Sequence, residues 1–207
     1  MKTTNDAILD AACRHFAQSG FGGASLRAIL RDAGVNAAAA HYHFGSKEAV
    51  YRAAVERTLA PLMQTRADQF ANLSLNQRDP AKNLDALIRA YVTPHLQLCA
   101  DPAQHNYMTM MARFGAEPEA IIAGIYADIV EPTRKLYLNA LTEIVPQVDL
   151  DTARRLFGWV TLIMSSSPFE PGYQSMSGHS AMPIDPEPLI DHVVAMSRGG
   201  ILAVARL

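Results

Sequence analysis

Apolar residues recur along most of this chain at helical rather than strand spacing. Leu9, Ala12, Cys13 and Phe16 fall at i, i+3, i+4 and i+7, the stripe of a first helix that Gly20 ends. Leu26, Ile29, Leu30 and Ala33 repeat the pattern in a short second helix, with Ser25 placed to cap it and Gly34 to stop it. Asn36 can cap a very short third helix over 37–44. Ser46, followed by Glu48 in the first turn, can cap a fourth that runs to about Leu73 and kinks at Pro61. Beyond "NLSLNQRDPAK" the periodicity predicts helices near 82–100, 102–114, 117–145, 149–166 and 186–205. Asp101-Pro102 and Asp185-Pro186 both read as cap-then-proline starts, and Pro132 should kink or split the third of these helices. Between 165 and 188, 13 of 24 residues are Ser, Pro or Gly, which predicts a long loop. No strand alternation and no internal repeat is present. The expected fold is all-α, with a three-helix N-terminal domain over 1–56 and a larger helical domain over 57–207.

Bulk properties narrow what such a chain can do. Its 207 residues are 49% hydrophobic and 18% charged, the balance of an ordinary globular protein. No continuous apolar run reaches the roughly 18–20 residues of a membrane span, so no membrane partner is expected. The N-terminal "MKTTNDAILDAACRHF" carries acids and does not read as a signal peptide. Cys13 and Cys99 lack metal-ligand or redox spacing and suit a reducing cytoplasm. The net charge of −2 is uneven: residues 1–57 hold seven Lys/Arg against five Asp/Glu, and the remainder eleven against fifteen. A mildly basic head on an acidic body points weakly to a polyanion at one end.

The segment "VNAAAAHYHFGSKEAV" (35–50) carries the candidate chemistry. His41 and His43 are two apart, so on a helix they point to nearly opposite sides and do not chelate a metal. No nucleophile elbow, Gly-rich phosphate loop or carboxylate pair accompanies them, so neither an enzyme nor a cofactor is expected. Two short helices joined by "AGVN" instead have helix-turn-helix architecture. Ala40 and Phe44 would face inward with Val35. Ala37, Ala38 and His41 would then lie on the opposite face, near the helix start, where a recognition helix reaches base edges. Tyr42 and His43 flank that face, and Lys47 opens the next helix, where phosphates can be met.

The stretch from about 8 to 56 resembles the DNA-binding region of the TetR family of bacterial regulators. The matching pieces are a phenylalanine and "SGF" closing helix one, then "S-L-x-x-I", "AGV", "YHF-x-SKE" and a following helix. The resemblance implies that Arg27, Ala37, Ala38 and His41 touch bases and that Ser25, Tyr42, His43 and Lys47 touch phosphates. This chain departs from relatives at Ala37, often a long polar residue, at Ala39, often threonine, and at His41, often tyrosine. Alanine can read only a thymine methyl, so direct readout would lean on Arg27 and His41, with a larger share left to DNA shape. "MARFGAEPEA" and the 149–167 helix more faintly resemble the fatty-acid-responsive repressors of the family.

The same resemblance implies a second domain that dimerises through its last two helices and holds an effector. The 156–164 segment is apolar on more than one side, and the glycines of "SRGGILAV" permit close helix approach at a cost in helix stability. His95, Met108, Met111, Arg113, Tyr126, Tyr137 and Trp159 are the candidate pocket residues, an adaptable Met and aromatic surface with two polar groups. The expected function is a homodimeric, ligand-responsive repressor, released from a near-palindromic double-stranded operator by a small apolar or amphipathic effector, acyl-chain or aromatic. The alternative is a helical small-molecule-binding protein or enzyme that does not bind DNA.

Overall fold

A computed structural model describes residues 3–35, 44–75, 78–165 and 185–206, with the side chains of Pro102, His105–Met108 and Ala112 excluded. Every regular element among the described residues is helical. They are α1 (Thr4–Gly23), α2 (Leu26–Asp32), α3 (Lys47–Ala71), α4 (Pro80–Ala100), α5 (His105–Phe114), α6 (Glu119–Ile125), α7 (Glu131–Ile144), α8 (Leu150–Ser165) and α9 (Pro186–Ala205). The expected helix over 37–44 and most of the expected loop, 166–184, lie outside the described residues.

Packing divides the chain into two compact units. One is drawn from Met1–Pro61 and His105–Val130, the other from Leu62–Gln104 and Glu131–Leu207. The linear division at 56/57 is therefore a division of sequence character. In three dimensions α5 and α6 pack with the N-terminal residues.

In the first unit, Thr3 and Asp6 close a capping box on α1, each side chain accepting from the other's backbone N–H. The buried stripe of α1 is Ile8, Ala11, Ala12 and Phe16. It shares Ala12 and Phe16 with the expected one, and Leu9 and Cys13 are half-buried at its edge. Cys13 is turned toward α3, with its sulfur 3.9 Å from the Ala54 carbonyl and from Thr58 Oγ1. Gly20, at φ 66° and ψ −179°, breaks the regular helix where expected, and one further turn follows. That conformation is essentially open only to glycine. Ser25 is the first residue of α2's cap through its carbonyl, which accepts from Ile29 N–H at 2.9 Å. Its hydroxyl makes no capping bond, contrary to expectation. Gly34 takes φ 70° beyond α2, and Ser46 Oγ caps α3 by accepting from Ala49 N–H at 3.1 Å. Phe16, Phe21 and Tyr51 form the aromatic centre, with ring centroids 4.9 Å apart for Phe16–Tyr51 and 5.3 Å for Phe21–Tyr51.

In the second unit α4 is the central helix, packed by α7, α8 and α9. Its start is set by Asp79, whose carboxylate accepts from Lys82 N–H ahead of a first-turn proline. Asp101 and Asp185 accept from Ala103 and Glu187 N–H, as their cap-proline sequences predict. Leu84, Leu87, Ile88, Leu96, Tyr137, Leu141, Phe157, Ile190 and Ile201 fill the core. Between α6 and α7 the expected disruption at Pro132 takes the form of a π-helical turn, Tyr126–Val130. A proline has no N–H for the carbonyl four residues back and its ring crowds that carbonyl, so the widened turn absorbs the mismatch. Contrary to the sequence expectation, α9 is by length and composition apolar enough to cross a bilayer. Its Asp191 and Arg198 nonetheless pair with Arg89 and Asp85 of α4, and Ile190, Val193, Val194 and Ile201 are buried in the core.

Candidate functional site

The short loop between α1 and α2 is held by side chains from three other places in the first unit. Lys47 Nζ donates to the carbonyls of Phe21 (2.8 Å) and Ala24 (3.1 Å) and stands 4.4 Å from the Phe21 ring centroid. Glu117 Oε1 accepts from Phe21 N–H at 2.7 Å. Arg113 donates to the Gln18 carbonyl at 3.0 Å. Carbonyls and an N–H left over at the α1 break are thereby satisfied, by a cation for the former and an anion for the latter. The loop leads directly into Ser25 and Arg27, both exposed. Arg27 forms no ion pair or hydrogen bond among the described residues, whereas Arg14, Arg52 and Arg57 of the same unit are each paired with an aspartate. An exposed, uncommitted guanidinium at the start of a short helix is suited to base edges or phosphate. Ala37, Ala38, His41, Tyr42 and His43 lie outside the described residues.

Lys47 departs from the simple reading of a side chain held ready for phosphate. Two of its three N–H donors are engaged inside the protein, so one remains. Glu117 was not visible as a functional residue in the sequence. Its partner is 96 positions away, and no local pattern connects them.

The seven candidate pocket residues fall in both units. Met111, Arg113 and Tyr126 belong to the first unit, as does the backbone of Met108, whose side chain lies outside those described. Arg113 is committed to the Gln18 carbonyl, and Tyr126 is exposed in the π turn. Their Met and aromatic character suggested them, but α5 packs on α1. His95, Tyr137 and Trp159 belong to the second unit. Trp159 is 57% exposed and lines a surface groove between α8 and α9.

His95 and Tyr137 do converge in the interior of the second unit, around a residue that the sequence reading missed. Arg66 of α3 is 3% exposed. Its Nε donates to the Tyr91 carbonyl at 2.8 Å, one terminal nitrogen lies 3.3 Å from Met164 Sδ, and the guanidinium carbon stands 3.8 Å over the Tyr91 ring. Tyr137 donates its hydroxyl to the Arg66 carbonyl at 2.7 Å, and burial raises that phenol's pKa far above the ordinary value. Phe157 packs on Tyr91 at 4.5 Å and Phe70 on Tyr137 at 5.1 Å between centroids. His95 is 5% exposed. Burial first, and the Arg66 charge second, push its pKa down to about 3, so the imidazole is neutral. The signal that could have exposed Arg66 is its spacing: Leu62, Arg66 and Phe70 fall at i, i+4 and i+8, putting a charge in the middle of an apolar stripe.

Comparison with known proteins matches both parts of the chain. Residues 8–54 fit the model of bacterial regulatory proteins of the tetR family, and residues 89–200 that of the tetracycline repressor-like C-terminal domain. The HTH-type transcriptional regulatory protein RaaS of Mycobacterium tuberculosis is 30% identical over 140 residues, 64% of this chain and 62% of that protein. The HTH-type transcriptional repressor NicS of Pseudomonas putida is 28% identical over 155 residues, 74% of this chain and 66% of that protein. The matches thus span just under two thirds of these curated relatives. Among solved structures, the transcriptional regulator FadR from Bacillus subtilis in complex with stearoyl-CoA superposes with a TM-score of 0.62. It is 16% identical, with 94% of this chain and 97% of that one covered, a likeness of fold. With residues 89–200, more than half of the chain, matched by the C-terminal model and residues 8–54 by the N-terminal one, the chain belongs to the TetR family of bacterial regulatory proteins.

Proposed function

We propose that this protein is a ligand-responsive, DNA-binding transcriptional repressor that acts as a homodimer on a near-palindromic operator. The observation that carries the reading is the family match over 8–54, supported by the exposed, uncommitted Arg27 beside Ser25. Arg27, Ala37, Ala38 and His41 read base edges. Ser25, Tyr42, His43 and the remaining N–H of Lys47 meet phosphates. One short recognition helix gives little readout alone, so two half-sites about one helical turn apart, roughly 34–36 Å or a multiple of it, are required.

The dimer forms through α8 and α9. Trp159, Leu162 and Ile163 stand at i, i+3 and i+4 on α8, and Met196, Gly200 and Val204 at i, i+4 and i+8 on α9. Leu162 is 62% and Met196 64% exposed, although both helices are otherwise packed. The groove between them holds about 170 Å³, below the roughly 300–1,000 Å³ of small-molecule pockets. It suits side chains of an apposed helix. Buried Ser197 Oγ has no partner among the described residues, and beyond the adjoining residues and backbone of α9 itself no described atom lies within 4 Å of where Gly199 or Gly200 would carry a Cβ. Both features suit a second backbone approaching closely. The effector is a small apolar or amphipathic molecule held in the aromatic interior of the second unit, and it lowers DNA affinity by binding the DNA-free form more tightly.

The test is selection of a duplex from a random library, followed by titration at several salt concentrations. Expected are two chains per duplex and a steep loss of affinity with salt. Met196→Glu should yield monomers by sedimentation and lose operator affinity. Salt-insensitive binding with no selected sequence would refute the proposal, as would a single chain bound per site.

A further inference from the structure

Arg66 is a fixed positive charge in the core with no carboxylate to answer it among the described residues. Elsewhere in this unit Arg89, Arg134, Arg154 and Arg198 each pair with an acidic residue. A guanidinium does not shed its proton in a protein, so burial cannot neutralise it. Its remaining contacts are weak substitutes for an anion: one backbone carbonyl, one thioether sulfur and one aromatic face. Of its five N–H donors, two find an acceptor. An uncompensated buried charge of this kind is strongly unfavourable, and buried charges are ordinarily paired.

We propose that Arg66 is the receptor for the carboxylate of a monoanionic ligand whose apolar body lies among Tyr91, Tyr137, Phe157 and Met164. This rests on the effector reading above and gives the effector its chemical class. A carboxylate matches the fork of one guanidinium with two parallel hydrogen bonds. A phosphate dianion would call for a second cation, and His95, the nearby titratable group, is held neutral. The aromatic rings and methionine around Arg66 suit an aryl or acyl body rather than a sugar or a nucleotide. Free acids are therefore ligands, while their neutral amides and thioesters are not. Arg66 also lies on the same helix as Lys47, so a ligand that reorients this side chain acts on the element that holds the α1–α2 loop.

The test uses the full-length protein and octanoate, decanoate, benzoate and 3-phenylpropionate, each beside its primary amide, with the S-ethyl thioester of octanoate as the neutral thioester. Binding is read by calorimetry and by melting temperature, and release from the selected operator by fluorescence anisotropy. The expected result is that at least one acid binds at least tenfold more tightly than its amide and thioester and releases the operator. Arg66→Met should erase that preference, with a melting temperature in ligand-free buffer equal to or above the wild type. Should Arg66→Met fail to fold, the acid-against-amide comparison on the wild type and on Arg66→Lys decides. Lysine keeps the charge without the fork and should retain a reduced preference. Amides binding as well as acids overturn the proposal, as does undiminished acid affinity in Arg66→Met. If no acid binds but neutral apolar compounds release the operator, the anion receptor is wrong and the effector reading stands. If an acid binds through Arg66 without changing operator affinity, the receptor stands and the effector reading falls.

Discussion

Replacing Lys47 with methionine separates two roles that one ammonium could fill. The structure commits two of its N–H donors to Phe21 and Ala24 carbonyls at 2.8 and 3.1 Å and sets the charge over the Phe21 ring. Hydrogen bonds to a charged group contribute about 1.5–3 kcal/mol each, with the low end fitting this half-buried site. The ring contact adds about 0.5 kcal/mol. Freeing a long side chain returns about 1 kcal/mol of rotamer entropy. The net loss for Lys47→Met is therefore about 2.5 kcal/mol, localised at the α1–α2 loop. Hydrogen exchange by mass spectrometry reads it directly. Amides in peptides covering 21–30 should exchange about 70-fold faster, while peptides from α8 and α9 stay unchanged. Operator affinity should fall on selected and random duplexes alike, because Ser25 and Arg27 lose their mounting, and the salt slope should drop by no more than about one. Unchanged exchange together with a salt slope lower by a full unit would refute the reasoning and leave Lys47 a phosphate ligand only.

Gly20→Ala should destabilise the protein by about 3 kcal/mol, since φ 66° with ψ −179° strains any side chain and the new Cβ would sit 2.9 Å from Glu117 Oε1. In a Glu117→Ala background the steric part disappears and most of the loss should persist in urea denaturation. Full recovery would show that the backbone is not strained. His95 gives a pH signature. Its folded pKa, near 3, lies below the unfolded value of about 6.5, so the unfolded chain binds the proton first. Its contribution is complete above pH 6.5 and shrinks as the pH falls, by about 2 kcal/mol between pH 6.5 and 5. Urea midpoints of the wild type should fall across that window, and those of His95→Asn should stay flat.

The helix boundaries were legible because caps are local. Ser46, Asp101 and Asp185 bond N–H groups two or three residues ahead, and Gly20 and Gly34 carry positive φ where helices were expected to stop. In α1 Ala12 and Phe16 are buried as expected, but Ile8 is buried rather than Leu9, because the two are equally apolar and only packing chooses between them. The candidate site was half legible. Ser25 and Arg27 are exposed, whereas the pocket residues were grouped by residue type, Met and aromatic, and fall in both compact units. Glu117 could not be found locally, since a carboxylate accepting one backbone N–H 96 residues away leaves no periodic trace. Arg66 left one, as a charge on an apolar stripe, and the binary pattern hides it because α3 is only weakly amphipathic around it.

The π turn at Tyr126–Val130 bears on how this chain aligns with its relatives. A turn that spends one extra residue lets the side chains before and after it keep the orientations of an uninterrupted helix one residue shorter. A relative without a proline at the position of Pro132 has no crowded carbonyl to relieve and should carry a regular helix there. An alignment that respects structure will then open a single-residue gap between Ile125 and Glu131. Placing that gap beyond α7 would shift every residue of α7 by about 100° and would pair the buried Leu138 with the exposed position of Asn139.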